Sequence, residues 1–380
     1  MKVGYSFWGF LSDIKMNENF ERISTPDGNA FYSWSIIKEL QDQLDEVIQI
    51  MPDRDRFSVQ KLKEKAFKAW ATEDRFYCYK KSKKIDYNID LNSCDKNEVF
   101  RLWDENHLDD SDCILHEWRM EISNRNEMSY RGKPGWQPDL FLQNCLIEYC
   151  FERKIKLIVF DLDYKLNEED YDERFTVFEL GDKWASKSNT EKVYIPFCFE
   201  HINDFSIKKK FENDLVYVGN RYERDWCIDK YIPEDMKKCI VYGNWKESGR
   251  DSEQRWPLIN FGNRLQTEEM YSAYSNSVCT ILLAKEEYCR YSFMTARIIE
   301  SVFYGSIPLF IEEYGEETIE EFAGKYAKLL TVRSKKDVVN CCNFFKVNRG
   351  IREYVINYLR NRLRKMDSKY FVEKLKEVCK

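Results

Sequence analysis

Arg297 and Glu300 stand three residues apart in the stretch 278–311, VCTILLAKEEYCRYSFMTARIIESVFYGSIPLFI. At that spacing they share one helical face. The stretch reads as an apolar strand, a polar loop, a helix and a second apolar strand, with Gly305 as the helix stop. A guanidinium and a carboxylate near the start of a helix that follows a strand suit a sugar nucleotide. The guanidinium and the helix N-terminus take phosphate, and the carboxylate takes the two ribose hydroxyls. The same two residues would also serve as a plain helical ion pair.

Two further places carry groups of the right chemistry. The apolar run IKLIVF (155–160) ends in Asp161-Leu162-Asp163. A carboxylate at the carboxyl end of a strand lies where open α/β sheets place their ligands, and it can take a proton from an attacking hydroxyl. Either aspartate would equally suit an ordinary turn. The run DLVYVG (214–219) leads into a basic loop holding Gly219, Asn220, Arg221 and Arg224. Fixed arginines there would stabilise charge developing on a leaving diphosphate. Solvated loop arginines are the plainer alternative.

The elements that must position these groups form two α/β halves. KVGYSF (2–7) reads as a strand, residues 29–43 as a helix with Phe31, Trp34, Ile37 and Leu40 at spacings of three, and EVIQI (46–50) as the next strand. This order is a βαβ unit of a parallel sheet. A strand near 112–115, a helix opened by Pro138 and the strand 155–160 follow. Residues 164–192 are polar and read as surface loops with a short hairpin. A passage near 193–212 leads to the second half: 214–219, a helix ending near Pro233, the strand 239–243 and the unit 278–311. We expect a domain over 1–195 for an acceptor, a domain over 213–350 for a nucleotide sugar, and helices over 351–380 returning to the first domain. No GxGxxG follows either first strand, which argues against a dehydrogenase.

With 380 residues, 43% hydrophobic and 16% aromatic, the chain can bury two cores of ordinary domain size. The net charge of −6 is unlike that of a generally basic nucleic-acid binder, so any such contact must be local. Thirteen cysteines form no CxxC pair, and with three histidines no zinc pattern appears. Scattered thiols in odd number point to a reducing, cytoplasmic setting. No run approaches the length of a membrane helix, and the N-terminus is unlike a signal peptide.

Four segments together resemble the bacteriophage DNA β-glucosyltransferases, a GT-B family that transfers glucose from UDP-glucose to hydroxymethylcytosine in DNA. They are the N-terminal MKV with PDGNAFYSW (26–34), VFDLDYKL (159–166), VYVGNRYERD (216–225) and ARIIE (296–300). The resemblance implies two Rossmann-like domains with a deep cleft between them and a UDP-sugar donor. It implies inversion with Asp163 as base, or Asp161 in the alternative register. Arg221 and Arg224 would hold the diphosphate, with Gly219 and Asn220 in the same loop, and Arg297 and Glu300 would hold phosphate and ribose. Asn29 stands where the family has a glutamate contacting the donor sugar. Retaining GT-B enzymes often carry two glutamates eight residues apart; Ser292 stands eight before Glu300, which favours inversion. A divalent ion could assist UDP release, but no residues form a metal site.

Two basic clusters are the candidate surface for double-stranded DNA. Residues 56–84 hold ten basic and three acidic residues with interleaved aromatics, including Lys80, Lys81, Lys83 and Lys84. Residues 119–137 carry Arg119, Arg125, Arg131 and Lys133, a place for a wedge that helps extrude a base. Two other functions remain open. The string from Ser292 through Arg297, Glu300 and Gly305 to Pro308 also resembles exostosin-like and fucosyltransferase-like GT-B enzymes that act on glycans. A non-enzymatic nucleic-acid-binding protein on an α/β scaffold is the third reading.

Overall fold

The computed structural model describes residues 1–7, 15–16, 22–24, 28–50, 82–91, 93–118, 138–199, 208, 210–246, 251–265 and 267–380. The chain divides into two compact units. The first is Met1–Cys198 with Ser368–Lys380, and the second is Phe199–Asp367.

The first unit runs β1 (Lys2–Ser6), β2 (Lys15–Met16), β3 (Arg22–Ser24), α1 (Gly28–Gln43), β4 (Glu46–Gln49), β5 (Ser82–Lys84), α2 (Lys96–Glu105), β6 (Cys113–Glu117), α3 (Pro138–Arg153), β7 (Lys156–Asp161), β8 (Thr176–Glu179) and β9 (Thr190–Lys192). Seven strands form a parallel sheet in the order β5-β4-β1-β6-β7-β8-β9. The order reverses between β1 and β6, and α/β sheets open a ligand crevice at such a point. All five residues of β6 are buried, as are the last five of β7. Continuous burial is what a parallel sheet covered on both faces requires.

The expectation of loops and a hairpin over 164–192 needs correction. β8 and β9 extend the sheet in parallel, not as a hairpin. β9 is only Thr-Glu-Lys, and an edge strand needs no apolar pattern to hydrogen-bond along one side.

The second unit runs β10 (Asn213–Val218), α4 (Asp225–Tyr231), β11 (Cys239–Tyr242), β12 (Phe261–Gly262), α5 (Thr267–Ser275), β13 (Ser277–Leu282), α6 (Glu286–Arg290), α7 (Arg297–Phe303), β14 (Ile307–Ile311), α8 (Glu316–Ala323), β15 (Thr331–Val332), α9 (Lys335–Val347) and α10 (Arg349–Arg362). Its six-stranded parallel sheet has the order β12-β11-β10-β13-β14-β15, reversing between β10 and β13.

The last helix, α11 (Ser368–Val378), belongs to the first unit. Phe371 packs 5.0 Å from Phe160 and 5.5 Å from Phe178, ring centre to ring centre. Lys376 donates to Gln43 on α1 at 2.7 Å. The return to the first unit therefore begins at Ser368. Residues 351–367, expected to return with it, stay with the second unit because α10 packs on α7 and β14.

Candidate active site

Arg297 opens α7, and its side chain runs back over the carboxyl end of β10. Its Nε donates to the Val218 carbonyl at 2.6 Å, and Nη1 reaches Thr295 Oγ1 at 3.4 Å. Gly219 makes this path available. A Cβ there would lie 2.6 Å from Nη2, 2.8 Å from Nε and 2.5 Å from the Tyr217 hydroxyl. The guanidinium also stands 5.4 Å from the Tyr217 ring centre. Burial works against its charge, but Tyr217, Tyr274, Glu300 and Tyr314 around it more than compensate and hold it charged. Glu300 follows one turn on, with the Tyr274 hydroxyl 3.5 Å from Oε2.

The helix stop falls at Gly305, as the sequence predicts. Gly305 has φ +87°, its N–H donates to Val302, and the Ser306 N–H donates to Ser301 at 2.8 Å. That bond pair is a Schellman cap. Two arginines of α10 complete it. Arg352, buried against the Phe211 ring, donates to the Gly305 carbonyl, and Arg360 donates to Phe303 at 2.7 Å. Nothing in the local pattern of α10 singles out these two among its basic residues.

In the loop after β10 the two arginines have different surroundings. Arg224 is buried; Nη1 donates to the Asn220 and Tyr222 carbonyls, while Nε has no partner among the described residues. Arg221 is engaged on both sides. Nε and Nη2 grip Asp225 at 2.7 and 2.6 Å, and Nη1 donates to Asp251 at 2.8 Å. The Asp225 hydrogen bonds raise its affinity for its proton, against a smaller opposing effect of burial. Arg221 thus braces the loop, and it also lines the open pocket beside it. Asn220 does similar work: its Oδ1 accepts from the Asn244 N–H at 3.3 Å, and Asn244 Oδ1 accepts from the Arg221 N–H at 2.9 Å.

Sequence reasoning missed Tyr217 and Tyr314. Both are buried, and both hydroxyls lack a partner among the described residues. Burial chiefly drives the Tyr314 hydroxyl well above the usual tyrosine range, so it stays protonated and able to donate. Alternation along a strand could have flagged Tyr217, two positions before Gly219. An open pocket of about 870 Å³ lies beside this loop, with Arg221, Tyr222, Trp226, Arg255, Arg290 and Tyr291 among its lining residues.

In the first unit, Asp161 ends β7 and is buried. Its Oδ1 accepts from the Lys165 and Leu166 N–H groups at 2.8 and 3.2 Å, and the Trp184 indole N–H points at Oδ2 from 3.5 Å. Burial pushes its carboxyl up to about 6. Asp163 sits in the turn that these bonds close, half-buried. Glu117, at the end of β6, is a further buried carboxylate and accepts from the Tyr5 hydroxyl. Its neighbour His116 is a core residue. Burial pushes it down to about 4, Ser6 faces Nδ1 at 2.8 Å and Gln143 faces Nε2 at 3.0 Å.

Of the expected DNA surface, Lys83 is described, with Nζ donating to the Asn106 carbonyl at 3.2 Å. Lys80, Lys81, Arg119, Arg125, Arg131 and Lys133 lie outside the described residues, as do the side chains of Lys84 and Asn29. Among the described residues no group of His, Cys, Asp and Glu could hold a metal ion, and no helix is long and apolar enough to cross a membrane.

The pair of parallel α/β sheets recurs in known structures. An alpha-glucosyltransferase in complex with UDP and a 13-mer DNA containing a HMU base is similar over 100% of this chain and 99% of its own, with TM-score 0.59 and 13% identity. An alpha-glucosyltransferase in complex with UDP-glucose and DNA containing an abasic site matches with TM-score 0.56 and 11% identity, covering 100% of both chains. Anabaena HepE in complex with UDP-glucose matches with TM-score 0.55 and 11% identity, over 99% of this chain and 98% of its own. The chain has the GT-B glycosyltransferase fold. No protein-family model matches the sequence, and none of the curated proteins matches it. In each half the polar groups lie at the carboxyl ends of strands: Glu117 on β6 and the Gly219 loop after β10 flank the reversals, and Asp161 ends the next strand, β7.

Proposed function

We propose that this GT-B protein is a glycosyltransferase moving a hexose, glucose on our reading, from a UDP-sugar to a hydroxymethylated pyrimidine in DNA. The observation that carries the transferase reading is Arg297 laid across Gly219 with Glu300 one turn away, beside the β10/β13 reversal. On this reading Arg297 and Arg224 hold the diphosphate and Glu300 the ribose hydroxyls. The second unit takes the donor and the first the acceptor. Both DNA-containing structures above match the whole length of this chain, and the sequence holds two local basic clusters despite its net charge of −6. These two facts favour DNA over a glycan as acceptor.

The chemistry follows from the named groups. The Asp163 carboxylate takes the proton of the hydroxymethyl group as its oxygen bonds to the anomeric carbon. The bond from that carbon to the diphosphate breaks, and UDP leaves with the electron pair. Arg224 and Arg297 meet the charge that grows on it. One displacement gives inversion. A second reading, retention, is favoured by one observation: the matched DNA enzymes are named alpha-glucosyltransferases.

The test is UDP release from a panel of UDP-sugars, with and without duplex DNA bearing hydroxymethylated pyrimidines. Release that requires such DNA, and is lost in Asp163→Asn, supports the proposal. Turnover indifferent to DNA moves the acceptor to a glycan or small molecule, and no turnover of any UDP-sugar overturns the donor assignment. The anomer of the product, read by the proton coupling at its anomeric carbon, decides between inversion and retention.

A further inference from the structure

The turn that carries Asp163 is tied to a second loop through two buried carboxylates on adjacent strands. Asp161 and Glu179 are register partners at the ends of β7 and β8. Asp161 closes the turn by accepting from Lys165 and Leu166. Glu179 accepts from the Trp184 backbone N–H at 2.9 Å. Trp184 is buried, stacks on Tyr171 at 5.0 Å and 15°, and turns its indole N–H towards Asp161. Lys183 returns to the same turn, donating to the Leu166 carbonyl at 2.6 Å. Two loops with no regular structure are thus held by side chains from rigid strand ends.

We propose that Asp161 and Glu179 are positioning residues for Asp163, locking its turn in place by way of Trp184. This rests on the reading of Asp163 as the proton acceptor. Tyr164, next to Asp163, has φ +57°, a conformation a non-glycine residue holds only where its surroundings impose it. The closing bonds from Lys165 and Leu166 to Asp161 impose it.

The lock has a pH signature. Burial is the main reason that Asp161 is pushed up to about 6 and Glu179 to about 7. Lys183 opposes the shift at Asp161, and Asp182 adds to that at Glu179. The other charged groups at these strand ends are Asp163, Glu117 at the end of β6 and Lys192, the register partner of Glu179 on β9. A carboxylate accepts N–H bonds more strongly than a carboxylic acid. The turn therefore loosens as pH falls through 7 and 6.

The experiment compares Asp161→Ala, Asp161→Asn and Glu179→Ala with Asp163→Asn in the full chain. Two readouts are used: kinetics against pH, and hydrogen exchange of the 163–166 amides. We expect Asp161→Ala to lower kcat at least tenfold with KM for the UDP-sugar unchanged, and to speed amide exchange. Asp161→Asn, which keeps an acceptor oxygen, should recover most of kcat and flatten the acid limb of the pH profile. Unchanged exchange in Asp161→Ala and Glu179→Ala would overturn the proposal whatever the activity. So would full kcat in both when Asp163→Asn is inactive. Full activity of Asp163→Asn would instead remove the base reading itself, and with it the role proposed for the lock. If Asp161→Ala does not fold, Glu179→Ala carries the same comparison.

Discussion

Arg297 occupies the space that a side chain on Gly219 would fill: Nη2 lies 2.6 Å from the ideal Cβ position. No real Cβ contact is that short, so Gly219→Ala must move the guanidinium or the strand end. We expect it to cut kcat/KM for the UDP-sugar by roughly 10–100-fold, comparable to losing a charge-assisted hydrogen bond. Arg297→Ala should cost more, roughly 100–1,000-fold. Steady-state kinetics on both variants, with circular dichroism to confirm folding, checks the pair. A Gly219→Ala enzyme with wild-type kinetics would show that the guanidinium path is not used.

Arg221 and Arg224 should part company under mutation. Among the described residues, Arg221→Met leaves Asp225 with Arg255, which bonds it at 2.8 Å, and takes this partner from Asp251. The cost should be stability, about 1–3 kcal/mol, with the affinity for UDP nearly unchanged. Arg224→Met should weaken UDP binding as well as lower the melting temperature, because the Asn220 and Tyr222 carbonyls lose this donor. Thermal denaturation with and without UDP separates the two. Equal loss of UDP affinity in both variants would refute the sorting.

The C-terminal cap of α7 offers a longer-range effect. Arg352→Met leaves the Gly305 carbonyl without its buried donor, at about 1–3 kcal/mol. Burial lowers Arg352 to about 10, so it remains charged through neutral pH and the cap does not depend on pH there. The helix bearing Arg297 and Glu300 is anchored by that cap, so we expect KM for the UDP-sugar to rise along with the fall in melting temperature. A fall in melting temperature with KM unchanged would limit the cap to stability.

Stability and activity should respond to acid in opposite directions. Asp161 and Glu179 hold their protons more tightly in the folded protein than in the unfolded chain. A raised folded value contributes stability that is present in full below the unfolded value, near 4, and is lost as pH rises through about 6 and about 7. Wild type should therefore gain up to about 4 kcal/mol on an Asp161→Asn, Glu179→Gln double variant between about pH 8 and pH 5. Urea titrations at the two pH values measure this difference. A wild type that gains nothing relative to the variant on acidification would contradict the burial of these carboxyls.

Much of the fold was legible because its central strands leave little choice. Ile307–Ile311 is apolar throughout, as a strand buried on both faces must be, and Gly305 marks its approach by the one conformation that other residues resist. Arg297 and Glu300 were legible as a pair because both lie within one turn of one helix. The rest depended on distant partners. Asp251 lies 30 residues from Arg221, and no local pattern says which arginine of the loop it will take. Asp161 and Asp163 look alike in sequence; their difference arises from Trp184, Lys183 and Glu179, which arrive from the next loop and strand. β9 escaped notice because an edge strand of three polar residues has no periodicity to read.

The return of α11 to the first unit has a consequence for how the protein is made. Phe160 and Phe178 lie on strands synthesised early, yet their cover, Phe371, emerges from the ribosome about 190 residues after Phe178. The first unit must wait through synthesis of the entire second unit with this apolar face bare, and it can close only once residues 368–378 are available. A chain that stops short of them would expose the same face, a mark by which chaperones and proteases distinguish an unfinished product from a complete one.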